Sequence, residues 1–503
     1  MNADYNKDFN IEISLLLNSK DPAKDLDVKN NKIVKKDIFS KFISLLVGSD
    51  KPSAALKNRI GEITQKLLTS KSNEGSDEKI NFSAVKENLL KNVVKHKNKE
   101  KEDLVVALLC NRISSVYDSK DDKSILKRIN TFKREHLKHA LNQNEEYITA
   151  KQIKKSLITE ISENPLSLEQ KIELLEAKTS AKIVKMHLLQ KMGEVGRSEK
   201  GTTGTALVFD YRKDGSERLI GVFKPDSSFS SLAVKITNIA RRLFGQHSLM
   251  SHRPLAQPRA ENVAYEAGKF FNLLSVPPSR LTEVGGIKGV FQLAAQTFVK
   301  TIEDEKFLTN DIKLHEADDL TQQDAVSTIL NNPDKVVTES ERNAFQEFAL
   351  LDFLIGNLDG HGENWFIGLA KGEEGKVDQD IAHIVGIDKA NSFPVANPGA
   401  LGIGGKNQYL WKETELAKKP FTNIMREKMK LITPDKVKEF INMASNSQQG
   451  FFEDSMKDLF SQRAKAIRNI AEIEGSTPAD LATMITDNDF VMGIEAKMQP
   501  PRA

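Results

Sequence analysis

Between residues 224 and 388 the sequence places a lysine, two glutamates, two aspartates and an asparagine in settings suited to chemistry on phosphate: Lys224 in GVFKP, Glu261 and Glu266 in AENVAYEAGKFFNLL, Asp359 and Asn364 in IGNLDGHGENWFIG, and Asp388 in VGIDKANSF. Upstream stands the glycine-rich stretch Gly201, Thr202, Thr203, Gly204. Phosphoryl transfer from ATP uses parts of these kinds, because its loose transition state asks the protein mainly to position groups and offset charge. Backbone amides of a glycine-rich turn approach phosphates closely, since no Cβ intervenes. A lysine neutralises α- and β-phosphate oxygens, a carboxylate orients the attacking hydroxyl, and an amide oxygen with a second carboxylate suits magnesium, a hard ion that takes oxygen ligands.

Spacing sharpens the assignment. Asp359 and Asn364 lie five residues apart, the separation of the catalytic aspartate and metal-binding asparagine in the kinase loop pattern H-R-D-x-x-x-x-N. Asp388 ends a β-like run, where a second metal ligand belongs. Glu261 and Glu266 are also five apart and face different ways on a helix, so geometry alone does not say which one holds the lysine. His361 is read as a brace for the loop, because the neighbouring carboxylate already has the base's spacing. Asp352, on the helix before the loop, is read as tying down backbone amides. Asp359, Asn364 and Asp388 are also residue types at home in turns, but a turn explains neither the lysine nor the order of elements.

The elements that must hold these groups are of two kinds. Residues 36–190 read as successive helices: Ile125, Ile129 and Phe132 recur at helical spacing, and Ser167 with Gln170 forms a capping-box pattern. From Gly193 the character changes. TALVFDY and RLIGVFKP are short β-rich runs around Asp214-Gly215, a hairpin signal, and a serine-rich, then basic segment leads into the helix carrying Glu261, which Pro277-Pro278 should stop. Two more β-like runs follow, Thr301–Glu341 is polar and loop-like, and ERNAFQEFALLDFLIG is an apolar helix. NWFIGLA and HIVGID are β-like again, and Thr433-Pro434 and Thr477-Pro478 each pair an N-cap with proline at N1. The expected class is α+β: a flexible segment 1–35, a helical extension 36–190, two lobes at 191–300 and 301–432, and a helical region 433–503.

Composition bounds the alternatives. A chain of 503 residues is too long for a single core. Its 73 basic and 70 acidic side chains nearly cancel, so bulk charge predicts neither nucleic-acid nor membrane binding, and any polyanion site must be local. Lys127, Arg134 and Lys138 gather on one helix face, and Arg241, Arg242, Arg253 and Arg259 form a second group. Both read first as solvated faces; together they would make a polyphosphate pocket only by converging in space. The lone cysteine, Cys110 in LVVALLC, reads as a buried structural thiol, which excludes an internal disulfide and a thiolate zinc cluster and favours a reducing compartment. No run reaches the roughly 20 apolar residues of a membrane span. MNADYNKDFNIEIS lacks a signal peptide's basic and apolar regions, so secretion would need a signal-free route.

GVFKP, AENVAYEAGKFFNLLSVPPS, LLDFLIGNLDGHGENW and VGIDKANSFP together resemble the atypical kinase branch that joins the HipA toxins, the Fam20 secretory kinases and the type II phosphatidylinositol 4-kinases, over roughly residues 190–430. The resemblance implies a two-lobed kinase-like domain with ATP and Mg²⁺ or Mn²⁺. Lys224 would be the phosphate lysine, Glu261 its partner, Asp359 the catalytic base, and Asn364 and Asp388 the metal ligands. Val290–Ala294, with Gln292 and Leu293, would be the hinge beside adenine. Two departures stand out: Asp359-Gly360-His361 replaces the branch's usual Asp-Arg-His, and the glycine loop is not G-x-G-x-x-G, so which of residues 201–204 touches phosphate stays open. The helical extension and the basic segment also resemble secreted bacterial effector kinases switched on by inositol hexakisphosphate. A Ser/Thr protein acceptor is the first expectation. Beside it stand a phosphoinositide kinase, without the cysteine-rich palmitoylation segment such enzymes use, an inert kinase-like scaffold, and a fold that transfers AMP.

Overall fold

The structure is a computed structural model that describes residues 11–13, 15–19, 22–36, 53–69, 99–117, 123–161, 166–191, 205–211, 217–226, 253–302, 313–316, 337–360, 362–369, 381–395, 409–448 and 450–484. Helices and small antiparallel sheets alternate along it, an α+β arrangement. The chain divides into two compact units that interleave in sequence: Met1–Gln152, Ile183–Gly196 and Phe209–Leu219 in the first, and Ile153–Lys182, Arg197–Val208 and Ile220–Ala503 in the second.

In the first unit, the region read as a flexible segment is folded wherever it is described. Strands β1 (Leu26–Lys29) and β2 (Lys32–Lys35) pair antiparallel around Asn30 and Asn31, both at positive φ, as a two-residue hairpin turn requires. The cause is burial. Ile13, Leu16, Leu26 and Ile33 share a core with Leu56, Ile60 and Ile63 of helix α1 (Ala54–Thr69), Leu109 and Cys110 of α2 (Lys99–Ser114), and Ile129 and Phe132 of α3 (Lys123–Leu141). Glu12, buried beside them, accepts from the Ile33 amide at 2.8 Å and pairs with Arg59 at 2.8 Å. Cys110 is thus a packed, reduced thiol.

In the second unit, α4 (Glu145–Ile161) contributes its later turns, and α5 (Leu168–Lys191) starts at the expected capping box, with the Ser167 amide donating to Gln170 at 2.9 Å. Strands β3 (Ala206–Tyr211), β4 (Glu217–Pro225), β5 (Ser279–Val284) and β6 (Ile287–Leu293) form a sheet in the order β3-β4-β6-β5, the end of β3 and the start of β4 (209–211 and 217–219) counting with the first unit. The Asp214-Gly215 turn lies outside the described residues. Helix α6 (Ala256–Phe270) ends well before Pro277-Pro278, because Asn272 takes a left-handed conformation and the Leu273 amide turns back to the Gly268 carbonyl at 2.7 Å. After α7 (Ala295–Ile302), the stretch expected to be loop-like contains a strand. β7 (Lys313–Glu316) pairs with β8 (Trp365–Leu369), which pairs with β9 (Ile381–Gly386). Thr338 and Glu341 form a capping box that starts α8 (Glu339–Leu354), the apolar helix under this sheet.

Four further helices, α9 (Asn423–Lys430), α10 (Pro434–Ser447), α11 (Asp454–Ala471) and α12 (Pro478–Thr483), complete the core with Phe440, Phe460, Ile467 and Leu481. Thr433 and Thr477 cap α10 and α12 ahead of their N1 prolines, as read from the sequence. Among the described residues no helix is long and apolar enough to cross a membrane.

Lys178 of α5 donates to Thr301 at 2.6 Å, and burial, with the charge of Lys154 adding to it, brings its ammonium down from 10.5 to about 8. Between those two values the unfolded chain holds a proton that the folded chain has released, so folding stability should rise with pH across that window. Chemical denaturation midpoints of wild type and Lys178→Met at pH 8 to 10 should diverge, with the rise smaller in the variant. Parallel curves would refute the shift.

Candidate active site

β4 runs beside β6 in the register Lys224↔Val290, so Lys224 stands at the end of an interior strand with its side chain 14% exposed. Pro225 closes the strand, and Asp226 follows: its amide donates to the Lys288 carbonyl at 2.9 Å, while its carboxylate accepts the Leu255 amide at 3.0 Å, one residue before α6. The strand of the lysine is thereby tied to the start of the helix that carries Glu261.

Glu261 is fully buried on the inner face of α6, and the Lys224 ammonium donates to its Oε1. Glu266, on another face, pairs with Lys269 at 2.9 Å. The choice that helical spacing left open is decided by which side of α6 packs on the sheet. Gln292 of β6 supports the pair, its amide reaching Glu261 Oε2 and Ser279 Oγ, each at 3.3 Å. Its neighbour Leu293 packs with Leu175, Phe298, Val299 and Val385, and its amide donates to the Pro278 carbonyl at 2.9 Å. The side chains of both expected hinge residues are therefore engaged inside the protein.

The same ammonium lies 3.2 Å from Asp388 Oδ1. Asp388 follows β9 in a left-handed conformation, φ 52° and ψ 60°, one that aspartate tolerates better than most residues. The Lys224 charge holds the Asp388 carboxyl below its ordinary value against the opposing effect of burial. Burial tends to lower the Lys224 ammonium, but the charges of Asp388 and Glu261 outweigh it and hold it up. Glu261 is pushed upward, by burial first and by the Asp388 charge besides, against the pull of Lys224. Two carboxylates share one ammonium. With both ionised the cluster carries an excess negative charge that a cation near Asp388 would offset.

Helix α8 delivers the loop. Gly356, at φ 61°, turns the chain out of the helix, and a Cβ there would lie 2.5 Å from the Arg463 guanidinium carbon. Asp359 follows, half-buried. Its amide donates to Asn357 Oδ1 at 3.1 Å, and its Oδ2 accepts from Asn391 Nδ2 at 3.1 Å. Asn364 closes the loop through its own amide nitrogen, which donates to the Asp359 carbonyl at 2.8 Å. The Asn364 carbonyl in turn accepts the amide of Ile387, the residue before Asp388, at 2.8 Å. Asn364 and Asp388 are therefore neighbours, 24 positions apart in sequence. Asn364's amide oxygen and Asp388's half-exposed carboxylate are hard donors of the kind Mg²⁺ accepts when phosphate oxygens and water complete its shell. Among the described residues no group of three or more His, Cys, Asp or Glu gathers.

Beneath the loop lies a polar core that sequence reading missed. Asp352 does not tie down backbone amides as expected; its carboxylate gathers three side chains, Lys389 Nζ at 2.7 Å, Asn357 Nδ2 at 2.9 Å and Trp411 Nε1 at 3.2 Å. Lys389 reaches it because residue 386 is glycine: a Cβ there would stand 2.7 Å from Lys389 Cε. The sequence signals were a lysine and a polar residue, Lys389 and Asn357, flanking otherwise apolar runs.

Gly201, Thr202, Thr203, Gly204, Arg241, Arg242 and His361 lie outside the described residues. Of the other basic groups, Lys127 and Lys138 are exposed on α3 with Arg134 half-buried between them. In the same unit Lys185 pairs with Asp210 at 2.6 Å and Arg218 lies 3.4 Å from it, and the charge of Arg134 bears on Lys185. Arg253 is engaged with the Gly450 carbonyl and, at 3.6 Å, with Glu453. No model of a known protein family matches this chain, and no curated protein matches it.

Proposed function

We propose that the protein is an ATP-dependent phosphotransferase of the atypical kinase kind, with a Ser/Thr side chain of a protein as acceptor. The observation that carries this reading is the Lys224 ammonium shared by Glu261 and Asp388, with Asn364 and the Asp359 loop joined to the same strand end. A strand lysine paired with a helix glutamate, beside a metal-binding aspartate, is the charge arrangement that kinases must assemble before transfer.

In this mechanism Lys224 holds the α- and β-phosphate oxygens, and Glu261 and Gln292 fix its ammonium in place. Asp359 accepts the proton of the acceptor hydroxyl as that oxygen bonds to the γ-phosphorus and the bond to the bridging oxygen breaks, releasing ADP. Asn364 and Asp388 would hold one or two Mg²⁺ or Mn²⁺ ions, which supply charge neutralisation on the β- and γ-oxygens. Because the Gln292 and Leu293 side chains are engaged inside the protein, contact with adenine falls to backbone near the end of β6. An inositol polyphosphate such as inositol hexakisphosphate is the proposed activator; the neighbouring charges of Arg134, Lys185 and Arg218 favour it, as several cations gain more from a dense anion than from Asp210 alone.

The test is incubation of purified protein with γ-labelled or α-labelled ATP and Mg²⁺ or Mn²⁺, with and without inositol hexakisphosphate, using a protein mixture or phosphoinositide vesicles as acceptor. γ-Label on protein is the expected result. Label on lipid alone would move the acceptor, α-label on protein would mean AMP transfer, and no label in any arm would refute the reading. Glu261→Gln should then lower kcat/KM on the order of a hundredfold, as loss of one preorganised electrostatic group does. Glu266→Gln, which leaves the lysine pair intact, should stay within twofold of wild type; equal losses in the two variants would contradict the pairing.

A further inference from the structure

The geometry points to Asn391 as a positioning residue for the transfer, one that holds the Asp359 carboxylate by its Oδ2 in a fixed orientation toward the acceptor hydroxyl. This rests on the proposed role of Asp359 as base.

Asn391 ends the short 3-10 turn Lys389–Asn391, which begins directly after Asp388. It touches the loop twice: its Nδ2 donates to Asp359 Oδ2 at 3.1 Å, and its carbonyl accepts the Leu358 amide at 3.0 Å. From the other side Asn357 Oδ1 accepts the Asp359 amide at 3.1 Å, and Asn357 is itself anchored on the buried Asp352. The carboxylate of residue 359 is therefore held from outside the loop, and its backbone by a neighbour that is itself anchored on a buried carboxylate.

An aspartate carboxylate turns easily about its terminal torsion, whose energy profile is broad. A base, however, must sit within hydrogen-bond reach of the proton it takes, and small misplacements are costly. A donor on one oxygen removes that freedom. An amide does this without adding charge, whereas an ammonium in the same place would compete for the carboxylate as a salt bridge. The turn has a second consequence. Asp388 and Asn391 are three residues apart, so the expected metal ligand and the group that orients the base share one short turn of backbone.

Steady-state kinetics on the full chain test this with Asn391→Leu, which keeps roughly the size but offers neither donor nor charge, and Asn391→Ala. Both should lower kcat about tenfold to a hundredfold, the range of acid–base contributions, while KM for ATP stays within twofold. A space-filling role would spare Asn391→Leu. In wild type, the Asn391 side-chain amide resonances at a single neutral pH should move when Asp359 is replaced by alanine. If wild type transfers phosphate and both variants keep kcat within threefold, or the amide resonances do not respond, the inference falls while the kinase reading stands. An inactive wild type overturns both.

Discussion

Replacing Asp388 by asparagine is expected to lower ATP-dependent phosphate transfer by about a hundredfold or more while leaving the protein folded. The magnitude follows from removing a preorganised charge worth ~3 kcal/mol or more in the transition state, each ~1.4 kcal/mol being a factor of ten. Asparagine is the cleaner substitution because residue 388 sits at φ 52°; an alanine in that left-handed conformation costs roughly 1–2 kcal/mol of backbone strain, whereas asparagine visits it readily. The side chain is 45% exposed, and Lys224 keeps Glu261 as partner in its absence. Thermal stability should therefore change little, and lost turnover would report chemistry. Turnover within tenfold of wild type, at any Mg²⁺ or Mn²⁺ concentration, would remove Asp388 from the site.

The second large effect is on stability. Asp352→Ala should destabilise the second unit by about 3–5 kcal/mol, the usual cost of removing one partner of a buried ion pair and leaving the other charged. Lys389 is 1% exposed and Asp352 wholly buried, so the ammonium would have no water to turn to. Asn357 Nδ2 and Trp411 Nε1 would lose the same acceptor. The two tryptophans of the chain, Trp365 and Trp411, both belong to this unit, so urea unfolding followed by tryptophan fluorescence reads it directly. Replacing both partners, Asp352→Leu with Lys389→Met, should recover much of the loss, because an apolar pair of similar volume carries no desolvation cost. A cost below about 1 kcal/mol for Asp352→Ala would mean that Lys389 is not held as a buried cation.

What was legible in the sequence was local. Hydrophobic periodicity marked the helices of the first part, the caps at Ser167, Thr433 and Thr477 marked where three helices begin, and β-rich runs marked β3, β4, β8 and β9. The five-residue step from Asp359 to Asn364 needed only the loop's own sequence. These features depend on residues within a few positions of each other, where steric and hydrogen-bonding preferences act directly.

The tertiary structure decided the rest. Glu261 and Glu266 are equivalent as sequence, and a five-residue step on a helix of 3.6 residues per turn puts them on different faces; only the packing of α6 on the sheet buries one of them beside Lys224. Asp352 as sequence was a carboxylate on a helix, and its three side-chain partners come from 5, 37 and 59 positions away. Asn391 was an unremarked turn residue until the fold set it against Asp359. The first 35 residues are polar enough to read as flexible, but Ile13, Leu16, Leu26 and Ile33 find a shared core with helices that begin at residues 54 and 99. β7 likewise gains its strand character from the edge of β8 that it covers. In each case the deciding free energy comes from burial or pairing between segments far apart in the chain, a quantity that no window of neighbouring residues contains.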